Sequence, residues 1–175
     1  PSSAASDVYK RQNTDTTDTT STVSTGNVDA SDGWKRLSKV IAFGEGTDND
    51  KGYTTQFTGT QFSDTSRHPR QIRSSGDLSS DAAGKYQFLS TTWDGAKKAL
   101  GLKDFSPASQ EKAGRYLTKN RGVNPDAVYT TKADFKAAID KLSPEWASLP
   151  TAKTGTSYYG QGGKSLDQLW SLYNQ

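Results

Sequence analysis

Apolar residues recur at helical spacing in five stretches from residue 31 onward and are sparse before it. Trp34, Leu37, Val40 and Ile41 fall on one face of a helix that Ser31 or Asp32 can cap. The pattern predicts a second helix near Thr91 to Leu100, burying Trp93, Ala96 and Leu100 and stopped by Gly101. Ser106-Pro107 places a cap and a first-turn proline ahead of a third, with Ala113, Tyr116 and Leu117 inward. A fourth begins near Thr131 with Phe135, Ala138, Ile139 and Leu142 on one face, and a last runs from about Ser165 with Leu166, Leu169, Trp170 and Tyr173. These stripes read as core, not as cofactor sites.

Between the helices the pattern changes. Gly52 to Phe62 is rich in Thr and aromatics and reads as a small hairpin or β-lobe. Ser63 to Ser80 is polar, with Arg67, Arg70 and Arg73 around His68-Pro69, and reads as an irregular, solvated segment. Thr151 to Lys164, rich in Gly, Ser and Thr and carrying Tyr158 and Tyr159, reads as a surface loop that can also line a cleft. Ahead of the first helix, residues 13 to 31 are a Thr/Ser/Asp tract whose only apolar side chains are Val23, Val28 and Ala30. So little apolar surface cannot offset the entropy of ordering. Residues 1–31 are therefore expected to be a flexible tail, linker or processing remnant, and 32–175 the folded domain.

Composition removes several function classes. With no cysteine there is no disulfide framework, thiolate metal site or cysteine nucleophile. A single histidine, His68, cannot build a multi-histidine metal site, and no apolar run approaches the length of a membrane span. The protein reads as soluble and monomeric. With no methionine the chain is expected to start after a removed initiator or to be an internal product, and no targeting signal is read from it. Residues 1–31 hold Lys10 and Arg11 against Asp7, Asp15, Asp18 and Asp29, net −2, which leaves +5 on the remainder. That charge suits an anionic polymer, either nucleic acid or a bacterial cell wall. No basic run interleaved with stacking aromatics supports the nucleic acid.

The candidate for chemistry is Glu45, set between Gly44 and Gly46 at the end of the first helix. A carboxylate there faces the negative end of the helix dipole, which raises its pKa if it is also desolvated, as a proton donor requires. Small neighbours leave room for a ligand.

The residues around it carry a resemblance. Gly44-Glu45-Gly46-Thr47-Asp48-Asn49, Asp64 with His68-Pro69-Arg70, Ala83-Gly84-Lys85-Tyr86-Gln87, Gly101-Leu102-Lys103-Asp104-Phe105-Ser106-Pro107, Trp146-Ala147-Ser148-Leu149-Pro150 and Tyr159-Gly160-Gln161 occur in one order. In that order, from about Trp34 to Tyr173, the chain resembles the phage lambda type of endolysin, a lytic transglycosylase of the lysozyme-like superfamily. The resemblance implies an α+β, lysozyme-like fold: a mostly helical lobe, a small β-hairpin lobe and a substrate cleft between them. It implies cleavage of the bond between N-acetylmuramic acid and N-acetylglucosamine in peptidoglycan, with no metal or organic cofactor and with Glu45 as acid and then base. The muramoyl 6-hydroxyl attacks in place of water, closing a 1,6-anhydro ring, so one carboxylate suffices where hydrolysis normally needs two.

Asp48, Asp50, Asp64 and Asp81 are the candidates for a second carboxylate, and no spacing singles one out. Relatives of this type carry an Asp after the Gly-Tyr pair, where this chain has Thr54. Tyr86 and Gln87 are the expected substrate contacts, by stacking on a sugar and by bonding an acetamido group. The competing reading makes Tyr86 core and Gln87 a buried structural amide. Asp64, Tyr159 and Gln161 complete the expected site. The alternatives are a hydrolytic muramidase on the same fold and a non-catalytic wall-binding module.

Overall fold

The computed structural model describes residues 30–151 and 164–175; of the expected N-terminal tail, 1–29 lie outside the described residues. Helix α1 spans Asp32–Glu45, opened by Ser31, whose hydroxyl accepts the Trp34 N–H, and closed by Gly46 at φ 75°. Its stripe of Trp34, Leu37, Val40 and Ile41 is wholly buried, and such burial stabilises by about 1.5–3 kcal/mol per large side chain. Four more helices follow where the periodicity predicts them: α2 Ser90–Leu100, α3 Pro107–Asn120, α4 Lys132–Leu142 and α5 Leu166–Tyr173. Ser106, Thr131 and Ser165 cap α3, α4 and α5 with their hydroxyls, the last in a full capping box with Gln168.

α1 packs on α5, α5 on α4, and α2 on α3. The core is strongly aromatic: Trp93 meets Phe105 edge-on at 4.6 Å, and Phe135 sits 5.0 Å from Tyr173. Of the expected core residues, Tyr116, Leu166 and Trp170 are half-buried against the core and one is exposed. Leu100, the last residue of α2, is 40% exposed, because the turn at Gly101 brings Leu102 back against the core, with its N–H on the Lys97 carbonyl.

The small sheet is misplaced by the sequence pattern. Gly52 to Phe62 folds back on itself but forms no regular two-stranded ladder: it holds two 3₁₀ turns, Gly52–Thr54 and Phe57–Gly59, an antiparallel bridge between Thr55 and Gln61, and the N–H groups of Gln56 and Phe62 on the carbonyls of Thr60 and Thr54. The hydroxyls of Thr54 and Thr55 both turn back to the Lys51 carbonyl, and such local bonds compete with a ladder. The two antiparallel strands lie instead within the segment read as irregular: β1 Arg73–Ser75 pairs with β2 Leu78–Ser80 across Gly76-Asp77. Neither strand alternates apolar with polar, so the period-two signal is missing, and Gly76 at φ 58° supplies the tight turn.

Candidate active site

Glu45 ends α1 with its carboxyl partly buried, and Ser148 Oγ donates to its Oε1 at 2.8 Å. Burial pushes the carboxyl up from 4.5 to about 7, with the Ser148 hydrogen bond pulling the other way. Among the described residues no charge of either sign contributes to that shift, and α1 has no basic residue in its last turn. The two flanking glycines have separate causes. A Cβ on Gly44 would stand 2.9 Å from Ser148 Oγ, so the glycine makes room for that serine. Gly46 takes a left-handed conformation to end the helix, and the chain then folds back so that Thr47 N–H donates to the Ala42 carbonyl at 2.8 Å.

The residues after Glu45 and the residues around Ser148 are tied to the same dipeptide, Lys85-Tyr86. The buried Thr47 hydroxyl donates to the Lys85 carbonyl. Trp146, two residues before Ser148, donates its indole N–H to the Tyr86 carbonyl at 2.9 Å. The dipeptide is itself gripped from α3. Gln110 Oε1 accepts the Lys85 N–H at 2.9 Å. Next to it, Glu111 accepts the hydroxyls of Tyr53 at 2.7 Å and Tyr86 at 2.8 Å and the Trp34 indole N–H at 2.7 Å, with the Lys85 ammonium 3.7 Å away. Burial first, and Glu111 second, raise both tyrosine hydroxyls above their usual range.

The sequence-predicted residues divide. Tyr86 is fully buried, its ring 5.7 Å from Trp34 and 5.9 Å from Phe88. The expectation that it stacks on a sugar is corrected, since no face of the ring is open. Gln87 is held at φ 48° with its Nε2 donating to the carbonyls of Thr55 and Gly84 at 2.9 and 2.8 Å, so its amide nitrogen is committed to the backbone. Asp64 is exposed, accepts the Ser66 N–H at 2.9 Å and stands 3.9 Å from Arg67. It faces an open groove of about 560 Å³ bordered by Gln61, Arg67 and Gln71, and Glu45 does not line that groove. Tyr159 and Gln161 lie outside the described residues.

Of the second-carboxylate candidates, Asp48 and Asp50 are exposed, and Asp81 accepts the Ser90 N–H at 3.1 Å at the start of α2. Ser148, Thr47 and Glu111 were not expected at the site. The one local signal for the cluster was Gln110, a polar residue in register with the inward stripe of Ala113 and Leu117 and fully buried.

A carboxyl held near 7 at a helix end, with a neutral hydroxyl as its hydrogen-bonding partner, is suited to giving and recovering a proton near neutral pH. The family model described as Endolysin matches residues 36–175. The chain belongs to the endolysin family. The endolysin of Escherichia phage lambda is 38% identical over 148 residues, covering 81% of this chain and 89% of that one. The endolysin of Escherichia phage P2 is 32% identical over 150 residues, covering 77% and 86%. Among solved structures, bacteriophage lambda lysozyme complexed with a chitohexasaccharide superposes with a TM-score of 0.72 at 37% identity, covering 85% of this chain and 96% of that one. A second structure of lysozyme from bacteriophage lambda gives 0.70 at 34% identity over the same shares. This endolysin thus has the α+β, lysozyme-like fold and is a cell-wall-degrading enzyme that cleaves peptidoglycan. No helix among the described residues is long and apolar enough to cross a membrane.

Proposed function

We propose that this endolysin is a lytic transglycosylase, cleaving between N-acetylmuramic acid and N-acetylglucosamine and leaving a 1,6-anhydromuramoyl end. The observation that carries the reading is the setting of Glu45 among the described residues: its carboxyl sits near 7 through burial, with the Ser148 hydrogen bond as the opposing influence and no charged neighbour among those residues contributing. A retaining glycosidase sets its two carboxyl groups about 5–5.5 Å apart, where each would perturb the other's titration. Residues 152–163, which lie outside the described residues, contain no Asp or Glu.

In the proposed reaction the protonated Glu45 gives its proton to the leaving glycosidic oxygen while the muramoyl C1 becomes oxocarbenium-like. The carboxylate so formed takes the proton of the muramoyl 6-hydroxyl, whose oxygen bonds to C1. Glu45 returns to its protonated state, and no water enters. Ser148 can serve both halves, since a hydroxyl donates to the carboxylate and accepts from the acid. A pKa near neutrality balances the two duties. The enzyme acts outside the cytoplasmic membrane on the wall itself, as a monomer formed by residues 32–175, with nucleic acid no partner. The chitohexasaccharide bound by the lambda lysozyme supports a cleft that takes acetamido sugars in chains.

The muramidase reading shares Glu45 and the substrate but requires water to be activated by a second group. Glu45→Gln keeps the shape and removes the titrating carboxyl. Turbidity loss of peptidoglycan suspensions should fall by at least about 10³-fold in that variant. Undiminished lysis would refute the role of Glu45.

A further inference from the structure

We infer that Glu111 is a positioning residue for the Glu45 chemistry. This inference rests on the acid/base reading of Glu45. It starts from the convergence of four donors on one partly buried carboxylate: the hydroxyls of Tyr53 and Tyr86, the indole N–H of Trp34 and the ammonium of Lys85.

Two of those donors belong to adjacent residues whose backbone carbonyls hold the site. The Lys85 carbonyl accepts Thr47, two residues past Glu45, and the Tyr86 carbonyl accepts Trp146, two residues before Ser148. Glu111 grips the side chains of this dipeptide while the dipeptide's backbone sets the relative places of the acid and its serine. The carboxyl and the hydroxyl that meet at 2.8 Å come from segments 103 residues apart. They stay in register only as well as Lys85-Tyr86 stays in place.

A carboxylate is a poor choice if filling space were its whole role. Desolvating it carries a penalty that a well-packed apolar side chain of the same volume would avoid. What a carboxylate adds is direction, because its two oxygens fix several donors at once. The Lys85 ammonium also lies 4.9 Å from the centre of the Tyr53 ring, so ring, ammonium and carboxylate form one closed cluster.

The test is a double-mutant cycle on the full chain, read as turnover of soluble peptidoglycan fragments with kcat and KM separated. Glu111→Gln keeps the size but presents an N–H₂ to donors that need an acceptor. The expected result is a fall in kcat of roughly 10-fold with KM changed less than about twofold, since small misplacements of an acid weigh on the chemical step. Combined with Ser148→Ala, the loss should be at least threefold smaller than the product of the single losses, because both act on the same contact. Fully multiplicative losses, or an unchanged kcat in Glu111→Gln, would overturn the inference. If Glu111→Gln does not fold, Tyr86→Phe, which removes one donor and keeps the ring, is judged by the same two criteria. Glu45→Gln runs alongside: undiminished lysis there would mean that the acid/base reading has failed, a result distinct from a normal Glu111 variant beside a Glu45 variant that has lost its activity.

Discussion

Ser148 donates to Glu45 across 2.8 Å, joining the end of the first helix to a segment 103 residues further along the chain. The bond opposes the effect of burial on the carboxyl. Ser148→Ala removes the opposing influence, so the Glu45 pKa should move above about 7. The alkaline limb of kcat/KM against pH is expected to shift upward and the maximum to fall by about 10-fold, from the loss of a charge-assisted hydrogen bond. A limb that stays in place or moves down would show that the serine does not tune the acid.

Gly44 and Gly46 should respond differently to alanine. At Gly44 the new Cβ would meet Ser148 Oγ at 2.9 Å and displace it, so activity should fall about as far as in Ser148→Ala. At Gly46 no atom lies within 4 Å, but φ is 75°, so the cost should be about 1 kcal/mol of stability with activity largely kept. Thermal melts and lysis rates of the two variants, compared side by side, check the contrast.

Glu45 should weaken the fold at high pH. Its carboxyl titrates at about 7 in the native protein against 4.5 when unperturbed. Between those values the native state holds a proton that the unfolded chain releases. The group's contribution to stability is therefore complete below 4.5 and lost as pH rises through 7. Glu45→Gln should then melt higher than the parent at pH 8, by up to about 3 kcal/mol, with the difference gone near pH 4. Equal melting at both pH values would contradict a buried, perturbed carboxyl.

His68 is buried with Nε2 2.7 Å from the Phe88 carbonyl and Nδ1 accepting the Arg70 N–H at 3.0 Å, an arrangement that requires the neutral ring with its proton on Nε2. Burial, ahead of the other influences, lowers its pKa below 6.5. A lowered histidine pKa leaves stability intact above 6.5 and erodes it as pH falls below that value. Because the chain has one histidine, its imidazole NMR signals are unambiguous. They should report the Nε2–H tautomer at neutral pH and a midpoint under 6.5.

The helices were legible because their signals are local. Ser31, Ser106-Pro107, Thr131 and Ser165 mark starts, Gly101 marks a stop, and the stripes between them have the right period. The β-lobe was not, since its strands carry a single apolar residue, the exposed Leu78, while the Thr- and aromatic-rich stretch that looks like a hairpin spends its hydroxyls on nearby carbonyls. Glu45 stood out through its glycines and the motifs around it. Its supporting contacts did not: Ser148 reaches across 103 residues, and Glu111 across 77 to Trp34 and 58 to Tyr53. No periodicity encodes such pairs. Tyr86 had two readings at the level of sequence, and its burial between Trp34 and Phe88 selects the core one.

In the proposed reaction one carboxyl performs both proton transfers and the substrate supplies the attacking oxygen. Mass spectrometry of peptidoglycan digested in ¹⁸O-enriched water tests it most directly. The expected products are muropeptides ending in 1,6-anhydromuramic acid, one water lighter than the reducing form and free of the label. Reducing muramic acid ends carrying ¹⁸O would contradict it and identify the enzyme as a hydrolytic muramidase.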